Sequence, residues 1–349
     1  MFTPHTSPAP VAFAVVSLGD HGRARACLST LIGHESQTAF HVIWVINASE
    51  VEAPPATPEA PDGVVVVPLA TNLGWSGGLH VARAHALGRF LVWVQDDVFL
   101  EDGWLDAMIE ASNDNPDIGV LGSIVCNGAG VPTGAQGGYT PPGLPVDRWN
   151  DTDTTLEALP TTVAARAWVT SGGLFTRLSV WDEVGGPDPG LWPLNHVDKD
   201  YCTHTRAHGY GVALVSGARV RHDRNSTGAM PLRHVVAPRY GEILDRRWSA
   251  AIADMGPVAP KAVEHDCSPW RKEGLAGAVH TAQAMATRLF VPYVKWSEEW
   301  YAARQAAALA EQEKALAERY SGHLAAMTRT VSWRVTAPLR AVRRVFRRR

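Results

Sequence analysis

Two adjacent carboxylates, Asp96 and Asp97, follow Gln95 at the end of Phe90-Leu91-Val92-Trp93-Val94. That run is apolar, of strand length and rich in β-branched and aromatic residues. The point where a buried strand leaves an open α/β sheet is where such sheets bind ligands. Neighbouring acids repel each other there unless a cation or hydrogen-bond donors compensate them. A hard divalent ion held by one or two carboxylates and by substrate phosphates is one solution. A solvated pair capping the helix that opens at Glu101-Asp102-Gly103-Trp104-Leu105 is the plainer one.

Three further pieces carry chemistry-bearing residues. Asn72-Leu73-Gly74-Trp75-Ser76-Gly77-Gly78 lies between a strand and a helix. Its glycines allow close backbone approach, and the helix N-terminus behind it favours an anion such as a diphosphate; a plain loop is the alternative. Asp198-Lys199-Asp200 opens a helix, where acids also serve simply as caps. Arg221-His222-Asp223 ends a strand, and a hydrogen-bonded surface histidine is the bland reading of His222.

The elements that must position these residues alternate. Val11–Ser17, Phe40–Ile46, Val64–Pro68 and Phe90–Val94 read as strands. Arg23–Ile32 and Ser76–Gly88 read as helices between them. Glu52–Gly63 reads as a Pro- and Ala-rich surface loop. Further on, a helix is expected over Glu101–Ser112, a strand over Ile118–Val125 and a long Gly/Pro loop over Gly128–Pro145. Ala164–Thr170 reads as one strand, Tyr201–His208 as a helix stopped by Gly209, and Val212–Val215 and Ala218–His222 as two short strands. Such alternation implies an α/β fold with a mostly parallel sheet covered on both faces. From about Leu232 the pattern turns helical, with one long Ala/Glu-rich helix over Ala302–Ala326.

In order and spacing, the pieces resemble the family 2 glycosyltransferases, which have the GT-A fold. The resemblance covers roughly residues 11–225 through Asn72 to His80, Gln95 to Asp97, Ser171 to Leu174, Asp198 to Tyr210, and Val220 to His222. It implies a GT-A-like nucleotide-binding sandwich and an inverting transferase that uses Mn2+ or Mg2+. It implies Asp97 as direct metal ligand, Asp96 beside the ribose or metal, and His222 completing the metal site. Asp198 would be the general base. Ser17, Asn47, Asn72, Gly74, Gly77, Gly78, Gln95 and Asp96 would bind the donor. Trp192, Asp200, Gly172 and Gly173 would meet the acceptor, although a core Trp is the alternative for Trp192. Three positions depart from the family pattern: Gln95 replaces an acid, Ile46 stands where an Asp often reads the nucleobase, and His80 replaces an Asn. They leave the nucleotide open, with UDP- and dTDP-sugars as the expected donors and a glycan or lipid-linked saccharide as acceptor.

Two other readings compete. A non-catalytic relative that binds a sugar nucleotide or glycan would explain the three departures. A nucleotidyltransferase would need a basic Gly-rich N-terminal loop, which Leu18-Gly19-Asp20-His21-Gly22-Arg23 fits poorly.

Composition bounds the rest. With 46% hydrophobic and 19% charged residues, the 349-residue chain is globular rather than disordered. Its four cysteines form no CxxC pattern, which argues against a zinc knuckle or a disulfide framework. No signal peptide and no membrane-spanning run are evident, so a cytoplasmic protein is expected. Charge is uneven. Residues 329–349 hold eight arginines and no acid, and the overall balance of −3 therefore leaves −11 on residues 1–328. An acidic body argues against nucleic acid as a partner. The tail, with Leu339, Val342, Val345 and Phe346 on one helical side and arginines on the other, reads as a segment for an anionic membrane surface. Similar tails occur in glycosyltransferases of cell-surface polysaccharide synthesis. The expected organisation is a catalytic domain over 1–230, a helical extension over 231–298, a long helix over 299–328 open to coiled-coil homo-oligomerisation, and the tail over 329–349.

Overall fold

A computed structural model describes residues 10–18, 21–48, 59–134, 136–139, 145–148, 163–222, 231–256, 258–263, 273–289, 306, 310–314 and 317–319. Met1–Pro292 form one compact unit and Tyr293–Arg349 another.

The first unit is an α/β fold built on a mostly parallel central sheet. Strands β1 (Val11–Leu18), β2 (Phe40–Asn47), β3 (Val64–Pro68) and β4 (Phe90–Gln95) run parallel, in the order β3-β2-β1-β4. Helices α1 (His21–Ile32) and α2 (Gly74–His85) connect them. The order reverses at β1, which has β2 on one side and β4 on the other. A crevice therefore opens beyond the carboxyl ends of β1 and β4, where open sheets take their ligands. Asp96 and Asp97 occupy the turn that follows β4.

Beyond β4 the chain adds β5 (Val98–Leu100), α3 (Trp104–Asp114), β6 (Ile118–Cys126), β7 (Pro132–Gly134), β8 (Gln136–Tyr139), β9 (Pro145–Arg148), β10 (Val163–Ala165), β11 (Trp168–Val169) and β12 (Leu174–Arg177). Helices α4 (Leu178–Val184) and α5 (Val197–Ala207), strand β13 (Gly211–His222) and helix α6 (Pro231–Met255) follow. Residues 274–289 form a further helix, α7. The sheet continues as β4-β12-β6-β13-β10, with β12 antiparallel to both of its neighbours. Strands β11, β8 and β9 make a separate small sheet.

Three expectations change, and one strand was not read. The segment over Gly128–Pro145 holds strands β7 and β8 rather than an unstructured loop. Ala164–Thr170 is not one strand: β10 pairs with β13, whereas β11 pairs with β8 in the other sheet. The two short strands expected near His222 form one strand, β13, whose register slips between Leu214 and Arg219. The Gly-Gly segment feeds β12, which alternation alone does not reveal because β12 is only four residues long.

Burial explains the arrangement. Strand β4 is apolar on both faces because α1 and α3 cover one side and α4 and α5 the other. Trp93 on β4 stacks 5.0 Å from Tyr201 on α5 and 5.8 Å from Trp181 on α4. Tyr201 in turn shares a 2.8 Å hydrogen bond with Thr176 on β12. These contacts seat the helix that begins near Asp198 on the strand that ends just before Asp96. In the second unit the described residues, 306, 310–314 and 317–319, are helical and exposed, within the long helix read from the sequence. The basic tail over 329–349 lies outside the described residues. No helix among the described residues is long and apolar enough to cross a membrane.

Candidate active site

Register brings the distant pieces together. Strand β5 turns back after Asp97 and pairs antiparallel with β13, setting Val98 opposite His222. His222 Nε2 consequently lies 3.3 Å from Asp97 Oδ1. The approach lacks hydrogen-bond geometry, and this buried nitrogen has no hydrogen-bond partner among the described residues. Two ligand atoms on adjacent corners of an octahedron with bonds of about 2.0–2.1 Å lie roughly 3 Å apart. The pair therefore fits a divalent ion. Among the described residues no group of three or more His, Cys, Asp or Glu side chains is placed to hold one. Two protein ligands would leave the other positions to phosphates and water, as hard cations at phosphate sites commonly have it. Asp223 lies outside the described residues.

Asp96 is 5% exposed, and its Oδ2 accepts from Arg23 Nη2 at 3.3 Å. Cys27, one helical turn beyond Arg23 on α1, points its thiol at the carbonyls of Val98 (3.3 Å) and Gln95 (3.7 Å). Burial pushes that thiol well above the ordinary cysteine range, and Asp96 and Asp97 push it further. Sequence reading missed both residues, although their spacing of four puts them on one helical face.

Asp198 stands in the first turn of α5, half-buried. Its Oδ2 accepts from the backbone N–H of Ser171 at 3.1 Å, and its Oδ1 from that of Lys199 at 2.9 Å. Ser171 precedes β12, whose Leu174 pairs with Trp93 of β4. The antiparallel register carries Ser171 to the end of the sheet where Asp96 and Asp97 lie. Asp97 and Asp198 thus lie at the same end of the sheet. Asn195 and His196, just before α5, both have positive φ (84° and 59°). Two successive non-glycine residues in that region cost free energy and tend to cluster at functional sites.

The donor set is reassigned in part. Gly74, Gly77 and Gly78 do not form an open phosphate cradle. The Gly74 N–H donates to Asn72 Oδ1 at 2.8 Å and the Trp75 N–H to the Pro193 carbonyl at 2.6 Å, so the first α2 donors are spent. A Cβ on Gly78 would sit 2.6 Å from Val16 Cγ1, and one on Gly77 2.9 Å from Ala282 Cβ. The glycines are small because β1 and α7 press on the helix. Asn47 braces the same turn, accepting from the Leu73 N–H at 2.9 Å and donating to the Gly74 carbonyl at 3.3 Å. Ser17 accepts from Trp44 Nε1 at 2.8 Å beneath the crevice. Gln95 remains part-exposed at the crevice beside Asp96. His80 is a core histidine, 2.8 Å from the Pro187 carbonyl, and Ile46 is fully buried.

The acceptor set also changes. Trp192 is 2% exposed, and its ring N–H is given to the Asn72 carbonyl at 3.0 Å, which leaves no face for a sugar. Asp200 is 3% exposed and accepts from Arg247 Nη1 (2.8 Å) and Trp248 Nε1 (2.7 Å) on α6. Burial raises its carboxyl above the ordinary range against the pull of Arg247, with Asp188 adding to the rise. Its hydrogen bonds run to α6. Gly172 and Gly173 are buried against β6 and β13, where a Cβ on Gly173 would meet Ser123 Oγ at 2.7 Å.

Residues 22–156 match the model of Glycosyl transferase family 2. No curated protein matches the chain. Similar solved structures include GalNAc-T7 with UDP, GalNAc and Mn2+, at 12% identity and a TM-score of 0.48, covering 63% of this chain and 44% of that one. S. aureus TarS matches at 13% identity and a TM-score of 0.41 over 65% of this chain and 38% of that one. Residues 1–349 of TarS match at 14% identity and a TM-score of 0.43 over 83% and 76%. The chain spans less than half the length of the first two. The matched residues, 22–156, carry the glycine turn and the Asp96-Asp97 pair, and over that stretch the chain is similar to glycosyl transferase family 2.

Proposed function

We propose that this chain is an inverting, metal-dependent glycosyltransferase that moves a sugar from a nucleotide-sugar donor to a glycan or lipid-linked saccharide. The observation that carries the reading is the meeting of two separate acidic sites at one sheet end. One is Asp97 with His222 at 3.3 Å; the other is Asp198, tied through Ser171 to the start of β12. The family match over residues 22–156 supports glycosyl transfer.

Asp97 and His222 would hold Mn2+ or Mg2+, which when bound acts as a Lewis acid towards charge building on a leaving diphosphate. Arg23 fixes the carboxylate of Asp96 at the mouth of the crevice. Asp198, its orientation set by two backbone N–H donors, takes the proton of the acceptor hydroxyl. Inversion requires such a base on the face opposite the leaving group. UDP- and dTDP-sugars are the proposed donors. The basic tail is proposed to bring the enzyme to an anionic membrane surface, in keeping with a lipid-linked acceptor in cell-surface polysaccharide synthesis.

The test is incubation with UDP-, dTDP- and GDP-sugars plus Mn2+ or Mg2+, with candidate glycan and lipid-linked acceptors. Nucleoside diphosphate release is followed and product configuration read by NMR. Release from one donor with an inverted anomeric linkage is expected. Product with retained configuration would remove the base role of Asp198, and no release from any donor would favour a binding-only protein.

A further inference from the structure

The opposite end of the sheet carries a basic groove that sugar transfer does not use. Strand β4 begins at Phe90, and six residues at about 3.3 Å each place that end ~20 Å from Asp96. A groove of about 550 Å³ opens there, lined by Arg83, Leu87, Arg89, Phe90, Arg177 and Asp182 among others. Arg83 is neutralised by Asp182, which it meets through Nε at 3.0 Å and Nη2 at 2.7 Å.

The other two arginines have no carboxylate partner among the described residues. Arg89 lies 5.0 Å and Arg177 5.7 Å from the centre of the same Phe90 ring. Arg177 spends Nε on the Ile118 carbonyl at 3.0 Å and Nη2 on the Ser112 and Asn115 carbonyls at 2.5 and 3.4 Å. Its Nη1 makes no hydrogen bond among the described residues, and no described carboxylate pairs with Arg89 or Arg177. Three arginines against one aspartate leave a balance of +2 in the groove, although residues 1–328 carry −11 overall. Burial lowers the Arg177 guanidinium below its ordinary value, and Arg89 lowers it further. An anion beside the two guanidinia would relieve that repulsion and receive the fork of Arg89 together with Nη1 of Arg177.

We propose that Arg89 and Arg177 form a binding site for a phosphate-type oxyanion, free or as a phospholipid headgroup, at the end of the sheet remote from Asp97. A dianion matches the local charge. The exposed Leu87 flanks the groove and suits an apolar portion attached to the phosphate.

The test uses the full chain and the Arg89→Gln variant, whose substituted side chain is exposed and makes no hydrogen bond among the described residues. Inorganic phosphate is titrated by calorimetry at constant ionic strength. Vesicles of phosphatidylcholine with and without phosphatidic acid are tested by sedimentation. Saturable binding of inorganic phosphate, weakened about tenfold or more in Arg89→Gln, is expected for a soluble ligand. Binding that requires phosphatidic acid and weakens equally in the variant assigns the site to a headgroup. Arg89→Lys keeps the charge and loses the fork, so it is expected to fall between the two. Equal responses of wild type and Arg89→Gln to both probes would overturn the proposal. Neither probe reports on sugar transfer, so the outcome is separate from that of the donor assay.

Discussion

Arg247 on α6 meets Asp200 Oδ1 through Nη1 at 2.8 Å while its Nη2 meets Asp188 Oδ2 at 2.7 Å. One guanidinium thereby joins the first turn of α5, two residues past Asp198, to the loop that follows α4. Burial alone would lower Arg247, but Asp200 and Asp188 together hold it above its ordinary value. Removing one partner of a buried ion network leaves uncompensated charge and typically costs about 3–5 kcal/mol. Arg247→Ala is expected to lose stability on that scale in urea unfolding. Asp200, already raised by burial, would then bind its proton more readily still in the folded state. The deficit is therefore expected to grow with pH once the wild-type Asp200 ionises, and to be smaller at pH 5 than at pH 8. A deficit below 1 kcal/mol at pH 8 would show that the clamp contributes little.

Asp198→Asn keeps the shape of the side chain and one acceptor oxygen. Removing a positioned base typically costs about 10²–10⁴ in rate. Turnover is expected to fall by that factor, while donor affinity, measured by calorimetry with Mn2+, stays within about threefold of wild type. Near-normal turnover would assign the base elsewhere.

Gly74 has φ +67°, and a Cβ there would lie 2.8 Å from the Pro193 carbonyl oxygen and 2.7 Å from Trp192 Cδ1. Backbone cannot yield as a flexible side chain does, and overpacking typically costs about 1–3 kcal/mol. Gly74→Ala is expected to lower the melting temperature by several degrees. An unchanged melting temperature would mean that the turn is looser than its contacts imply.

Cys27 and Cys202 are both buried, and burial holds each thiol far above the ordinary range. The thiolate is the reactive species. Iodoacetamide at pH 8 is expected to leave both unmodified in the native protein and to alkylate both in urea, as read by peptide mass spectrometry. Rapid native labelling of Cys27 would mean that α1 opens from the β4–β5 turn.

Much of the fold was legible because β1 to β4 are continuous apolar runs, with helices of ordinary length between β1 and β2 and between β3 and β4. The positions of Asp96, Asp97, Asp198 and His222 at strand and helix ends could be read the same way. What could not be read is long-range partnership. Nothing local marks Arg247 as the partner of Asp200, since the two are 47 residues apart in sequence. The glycines at 74, 77 and 78 look alike whether backbone approaches a phosphate or a neighbouring side chain, and only the contacts with Trp192, Val16 and Ala282 separate the two. Trp192 was ambiguous for the same reason. Strands β5, β11 and β12 are too short to show a period, yet β5 is what brings His222 to Asp97.

The most direct measurement is a Mn2+ titration of nucleoside diphosphate release by wild type, Asp97→Ala and His222→Ala with the best donor. The account expects metal-dependent release by wild type that chelation abolishes, and a loss of at least tenfold in apparent metal affinity or turnover in both variants. Release that survives chelation, or that both variants retain at wild-type metal concentrations, would contradict the placement of the metal between Asp97 and His222.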